Sequence, residues 1–367
     1  MASSTSLLFL CLCFFFRSTS CDMLDTTQQG NIPSWVKLAD RKLLQASDMP
    51  VDAVVAPDGS GHYTKVMDAV LAAPNGSHIR YIIHIKEGIY NEHVVISSNK
   101  SNLMMIGDGM DATIISGDLS SGRDKLDTYF TSTVFVDGPG FIARDITFRN
   151  TAGPENGQAV ALLSNSNTSV LYRCGIYGFQ DSLCANKGLQ FYKDCKISGS
   201  VDFIFGYAAA VFQDCNILVR KGSTSQHTIT AHGGPASPDQ PFGFSFQFCN
   251  ISADSDLLPF LTSTQTFLGR PWHPYSRVVF MECYISDVLS PEGWLEWNGT
   301  PVNLDTLYYA EYNNHGPGAG VENRVKWSGY HVLTDASQAS NFTVAQLISG
   351  DQWLPATRVP FTPGLGN

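Results

Sequence analysis

The chain has 367 residues, 43% of them hydrophobic and only 15% charged, with 33 acidic against 23 basic side chains and a formal net charge of −10. That charge excludes a nucleic-acid partner, which calls for basic patches, and the apolar content excludes a disordered chain. An acidic polymer, if this protein handles one, must be gripped by local chemistry rather than by the overall field.

The chain opens MASSTSLLFLCLCFFFRSTSCD. Leu7 to Phe16 is an apolar run followed by small polar residues, the pattern of a secretory signal peptide over residues 1–21, and it is too short to span a membrane. No other stretch approaches the roughly 18 apolar residues of a spanning helix, so the expectation is a secreted, extracellular protein with no membrane partner. Residues 22–45 are polar and patternless and end in Arg41-Lys42-Leu43-Leu44, either a processing site or two solvated charges. One domain is expected over 46–367. Its packing begins near Val51 with VDAVVAPDGSGHYTKVMDAVLAAP, which reads as a strand, a Gly-rich turn and a short helix. Six N-x-S/T sites, at Asn75, Asn99, Asn167, Asn250, Asn298 and Asn341, are permissive for glycans.

The middle of the chain carries a repeat: an aromatic residue, one or two residues, Cys, one residue, Ile. It occurs at Tyr172–Ile176, Tyr192–Ile197, Phe212–Ile217, Phe246–Ile251 and Phe280–Ile285, with Cys spacings of 21, 20, 34 and 34. A period near twenty suits one coil of a parallel β-helix, and the longer steps suit a coil plus a loop excursion. Cys174, Cys195, Cys215, Cys249 and Cys283 would then stack about 4.8 Å apart. Five cannot all pair. The spacing favours Cys195 with Cys215, since no long insertion separates them; the alternative is that all five are small buried apolar residues. Cys21 and Cys184 have no evident partner.

GSVDFIFG, residues 199–206, places one carboxylate, Asp202, in an apolar run, where a lone buried charge is costly. Strict strand alternation buries Val201 and Phe203 and turns Asp202 outward, with Phe205 inward unless the strand bends at Gly206. Asp181, in YGFQDSL, lies 21 residues earlier, the same step as Cys174 to Cys195. The two carboxylates should sit on neighbouring coils, where mutual repulsion raises one pKa and separates a general acid from a nucleophile. Arg270 and Trp272, in FLGRPWHPYSR, offer a fork for a carboxylate and a flat face for a sugar ring. Gln158 and Gln180 are candidate donors to an oxyanion. There is no G-x-S-x-G elbow, no H-E-x-x-H, no zinc spacing and no phosphate-binding Gly loop. The scattered histidines, such as His62, His84 and His232, offer no persuasive base.

Together EGIYNEHV, GDGMDATIISG, GQAVAL, GFQDSL, GSVDFIFG, LGRPW, GWLEWNG and LYYAEYNNHGPGA resemble the plant pectin methylesterase (pectinesterase) family, from about Val51 onward and in the family's order. The resemblance implies an all-β fold, a single-stranded right-handed parallel β-helix solenoid with loop excursions forming a substrate cleft. It implies hydrolysis of galacturonate methyl esters in pectin (methylated homogalacturonan) in the cell wall, without metal or cofactor. By match to the family, Asp202 is the nucleophile, Asp181 the general acid and later base, and Gln180 and Gln158 the oxyanion donors. Arg270 and Trp272 bind substrate, with Arg270 also orienting Asp202. Phe205 is a cleft aromatic, which favours its turning outward, and Thr128 is a further substrate contact. Cys195 and Cys215 match the family disulfide. A monomer is implied, with proteinaceous pectin methylesterase inhibitors as possible partners.

The sequence departs from the family's usual QDTLY at Ser182 and Cys184, and from TAQGR at Thr230-Ala231-His232-Gly233-Gly234. The expectation is an altered rate or preference and an added pH dependence from His232. The short segment before Arg41 implies a form without the helical inhibitor-like pro-domain of many plant members. A polygalacturonase or lyase is disfavoured, because neither a flanking acid–base pair nor a calcium-binding acidic cluster is visible. The rival reading is a non-catalytic pectin-binding or inhibitor-binding relative on the same β-helix.

Overall fold

Three short strands make each turn of the chain. In one such coil Ser169–Tyr172 is followed by Gly175–Tyr177 and then Leu183–Ala185, and the next coil repeats the order with Leu189–Lys193, Lys196–Gly199 and Ile204–Gly206. The computed structural model describes residues 50–235 and 241–366; the signal peptide and linker expected over 1–21 and 22–45 lie outside them. Within the described residues, strands from successive coils stack into sheets of eleven, seven and eight strands. Every pairing between named strands is parallel, as in the register Ile176↔Ile197, Ile197↔Ile217 and Ile217↔Ile251. This is a parallel β-helix, as the period implies.

The repeat is visible as ladders of identical side chains. Cys174 precedes the pair Gly175↔Lys196, and the same register carries the stack through Cys195, Cys215, Cys249 and Cys283. Above it Tyr192, Phe212, Phe246 and Phe280 stack face to face, with ring centroids 4.6, 4.5 and 4.4 Å apart. Tyr172 does not join them. Its phrase is one residue shorter, so Leu171 pairs with Tyr192 and takes the interior place. A one-residue slip flips a strand position to the other face, and Tyr172 lies outside under the Arg173 guanidinium, 4.8 Å from its centroid.

The sharp corner before each ladder cysteine is made by a residue in left-handed conformation: Arg173, Asp194, Asp214, Phe248 and Glu282, with φ between 52° and 57°. Asp tolerates this region better than most side chains do.

The expected Cys195–Cys215 disulfide is not formed; all six described cysteines are free and buried. Cys195 Sγ donates to the Leu171 carbonyl at 3.4 Å, and Cys215 Sγ to that of Tyr192 at 3.5 Å. Equivalent residues of adjacent coils are related by translation, so their Cβ atoms stand about a full strand spacing of 4.8 Å apart. A disulfide wants about 3.8 Å.

The extra length in the two 34-residue steps falls on both sides of the seven-stranded sheet. Among the described residues it is spent at 220–225, 233–235 and 241–242 in the first, and at 254–264 and 270–276 in the second. The helix Val66–Ala72 packs against the first coil. At the other end the tail runs back along the eleven-stranded sheet, where Gln213 Nε2 donates to the Thr362 carbonyl at 2.9 Å and Gln247 Nε2 to that of Gly364 at 2.7 Å.

Candidate active site

Asp181 and Asp202 occupy the same corner of neighbouring coils. Each lies between a strand of the eight-stranded sheet and one of the seven-stranded sheet, two residues before the paired positions Leu183↔Ile204. Both are in left-handed conformation, with φ of 63° and 48°. GSVDFIFG is therefore not one strand: only Ile204–Gly206 is. The kink at Asp202 resets the alternation. Val201 is half-buried rather than interior, Phe203 and Ile204 both enter the core, and Phe205 turns outward. The strand ends at Gly206, whose φ of 126° and approach to the Ala185 carbonyl leave no room for a Cβ.

Outside the coil Phe205 is covered by Cys184, Ala231, Val160 and Leu163, with Trp272 edge-on at 5.9 Å. This satellite cluster is the floor of a cavity of about 500 Å3. Thr128, Gln158, Gln180, Asp181, Asp202, Phe205, Arg270 and Trp272 all line it. The structure thus brings together every predicted site residue except Cys195 and Cys215, which belong to the interior ladder. Gln158 bridges Gln180 in parallel register. Neither carboxamide hydrogen-bonds any described residue, so their N–H groups are free to face a ligand.

Arg270 follows the strand Gln265–Gly269 and holds Asp202 by a fork: Nε donates to Oδ1 at 2.8 Å and Nη2 to Oδ2 at 2.6 Å. The guanidinium stacks on Trp297, 4.4 Å from the ring centroid. Thr228 adds a third contact. Its hydroxyl donates to Asp202 Oδ1 at 2.6 Å and accepts from the Asp202 amide at 3.0 Å. These bonds fix the position and direction of both carboxylate oxygens. Asp181 has no such partners. Burial first, and the Asp202 charge second, push its carboxyl well above the usual carboxylate range, against a smaller pull from Arg270. A carboxylate fixed by an arginine fork, beside a carboxyl that burial pushes up, is the division of labour that nucleophile and acid need.

Cys184 lies beneath Asp181, and burial pushes its thiol up. His232 does not supply the expected pH dependence. It is fully buried, edge-on to Phe244, with Nδ1 accepting from the amides of Gly234 at 3.0 Å and Arg277 at 3.1 Å. Burial lowers its pKa to about 3, so the imidazole is neutral across the ordinary range.

Thr228, Tyr129, Tyr207, Trp297 and Asn298 are site residues that the sequence reading did not single out. Trp297 stood in the phrase GWLEWNG. Thr228 shared the alternation of QHTITAH with Thr230, but its 26-residue offset from Asp202 breaks the coil period.

A solenoid corner with an arginine-held carboxylate, a buried second carboxyl beside it and two free carboxamides defines a β-helical protein with a carboxylate-pair site. Residues 52–351 match the family model Pectinesterase, and the chain belongs to that family. A pectinesterase/pectinesterase inhibitor from Prunus persica is 58% identical over 338 residues, covering 92% of this chain and 64% of its own length. Pectinesterase 2 from Citrus sinensis is 50% identical over 341 residues, covering 93% of this chain and 66% of its own. The chain therefore spans somewhat under two thirds of these curated relatives. Among solved structures, pectin methylesterase from carrot superposes with a TM-score of 0.84 at 46% identity, covering 86% of this chain and 99% of that one.

Proposed function

We propose that this chain hydrolyses the C6 methyl esters of homogalacturonan, releasing methanol and leaving de-esterified pectin in the cell wall. The observation that carries the reading is the unequal pair: Asp202 is forked by Arg270 and bonded by Thr228, whereas Asp181, one coil away, has no such partners and is pushed well above the usual carboxylate range by burial. An Asp202 oxygen attacks the ester carbonyl carbon, and the carbonyl π electrons move onto its oxygen. The carboxamides of Gln158 and Gln180 donate to that oxyanion. As it collapses, the C–O bond to the methoxy group breaks, and Asp181 gives its proton to the departing oxygen, releasing methanol. Asp181, now a carboxylate, takes a proton from water. The hydroxide attacks the mixed anhydride on the galacturonate side, and the C–O bond to Asp202 breaks, restoring the Asp202 carboxylate with Asp181 protonated. The uronic acid set free gives its proton to solvent and becomes the uronate. Trp272 and Phe205 offer apolar faces for the sugar rings, and Thr128 is a further contact.

The apolar run Leu7–Phe16 supports export of the protein, and the six glycan-permissive sites agree with it. The Prunus relative is named as both pectinesterase and inhibitor. A proteinaceous inhibitor seated over the cavity mouth is the corresponding partner here.

The test is methanol release from highly methylated pectin by the purified protein, beside Asp202→Ala, with uronide chain length followed in parallel. Methanol from the wild type alone, with chains uncut, is expected. A folded wild type that binds pectin and releases none would instead make it a non-catalytic relative.

A further inference from the structure

Around the corner from the carboxylates, on the outer face of the eight-stranded sheet, lies a separate cavity of about 380 Å3. Its floor is Tyr177. This ring packs over Gly175, where an added Cβ would meet Thr147 Oγ1 as well as Tyr177 Cζ at 2.8 Å and Tyr177 Oη at 2.9 Å, so a larger residue there would displace the ring. Arg149 is the register neighbour of Tyr177 on the preceding coil, and Lys196 that of Gly175 on the following coil. The two cations thus come from the coils on either side of this half-buried ring, two coils or about 10 Å apart along the helix axis. The Lys196 ammonium is 5.7 Å from the ring centroid.

Arg149 is lightly held, and Lys196 is engaged only with the Tyr177 ring. Among the described residues neither forms an ion pair, and Arg149 makes only a hydrogen bond from Nε to Ser116 Oγ at 3.3 Å. Arg220, the third cation of the lining, is spoken for. It donates to Asp256 at 3.1 Å and to the Gly178 carbonyl at 3.1 Å, and it covers the Phe179 ring at 4.0 Å, closing one wall. Asp254 is the single carboxylate of the lining. The catalytic cavity has the opposite balance, with Asp127, Asp181 and Asp202 against Arg270.

We propose that this cavity is a second carbohydrate site, one that takes a de-esterified stretch of uronide polymer. Tyr177 stacks on a sugar ring, and Arg149 and Lys196 bind carboxylates on either side of it. This rests on the substrate reading above. A neutral methyl ester has no use for two free cations, whereas the uronate product does. The protein, at −10 overall, gains here a local hold on the polymer it has already processed. Anchoring one stretch raises the effective concentration of the neighbouring esters at the catalytic corner.

The test is binding to fully de-esterified polygalacturonate, by affinity electrophoresis at low salt, for the wild type, the double variant Arg149→Gln/Lys196→Gln and the single variant Lys196→Glu. Both variants should bind at least about tenfold more weakly. Methanol release from short, fully methylated oligogalacturonides should stay within about twofold, while KM on long, partly de-esterified pectin rises and kcat holds. Folded variants that bind polygalacturonate as the wild type does would overturn the proposal, even with methanol release intact. If instead the wild type releases no methanol but the variants still lose polygalacturonate, the second site stands and the esterase reading falls.

Discussion

Arg270 grips both oxygens of Asp202 and touches neither oxygen of Asp181. The fork fixes the direction of the Asp202 carboxylate as well as its charge, and a point charge cannot do both. Arg270→Lys should therefore fold normally and lose roughly a hundredfold in kcat, the scale of a misplaced reacting group. Steady-state methanol release checks this; a loss confined to KM would mean that Arg270 only holds substrate.

Thr228 supports the same carboxylate from the next coil. Thr228→Val removes one charge-assisted hydrogen bond and keeps the shape. A fall in kcat of about tenfold is expected, the worth of such a bond, with Tm little changed. Thr228→Ser should recover most of the activity.

Asp181 must carry a proton when methanol leaves, so activity should decline as the pH rises through its elevated pKa. The same elevation has a sign for stability. The folded state binds this proton more tightly than the unfolded one does, so the contribution of Asp181 falls as pH rises from about 4, the ordinary Asp value, to the raised one. Asp181→Asn should therefore be more stable than the wild type at pH 7, by a few degrees in Tm. That gain should shrink towards pH 4. Its kcat should fall by about 100-fold or more. Equal melting curves at pH 7 would contradict the burial argument.

His232 and His227 act in the other direction. Burial depresses their pKa values to about 3 and about 4, so their contribution is whole above pH 6.5 and is lost as pH falls towards those values. His232→Gln should flatten the acid side of the Tm–pH curve without moving the inflections of the pH–rate profile.

The interior ladder of thiols needs no oxidant. Tm should be the same with and without a reductant, and peptide mapping should find Cys195 and Cys215 unlinked. Phe246, stacked between Phe212 and Phe280, should cost about 3–5 kcal/mol on truncation to Ala, with kcat unchanged in the folded fraction.

The β-helix was legible in the sequence because its period is written in Cys and Ile, residues that five successive coils bury at the same place. Asp181 and Asp202 could be paired by that period alone. The local course of GSVDFIFG could not. Alternation assumes an unbroken strand, and a left-handed residue in its middle leaves no mark that distinguishes Asp202 from a strand Asp. The Tyr172 slip was hidden for a related reason, since deleting one residue before a cysteine preserves the phrase while reversing the face. Thr228 stands in a strand just after one of the longer excursions and Trp297 lies in another, so the period no longer counts coils for either. His232 drew attention as a titratable group, and only the packing around it showed that it stays neutral.

The corners hold a further consequence. This solenoid has to turn through left-handed backbone once or more per coil, and at Asp145, Asp194 and Asp214, as at Asp181 and Asp202, it does so with aspartate. Only small polar side chains and glycine adopt that conformation cheaply. The architecture thus places acidic side chains at two of its corners before any reaction is asked of it. A catalytic centre could arise on such a scaffold by surrounding two existing corner aspartates with loops, without inventing a carboxylate. The same restriction narrows what can replace them: at these two corners, glycine and asparagine are the inexpensive ways for the lineage to lose activity while keeping its fold.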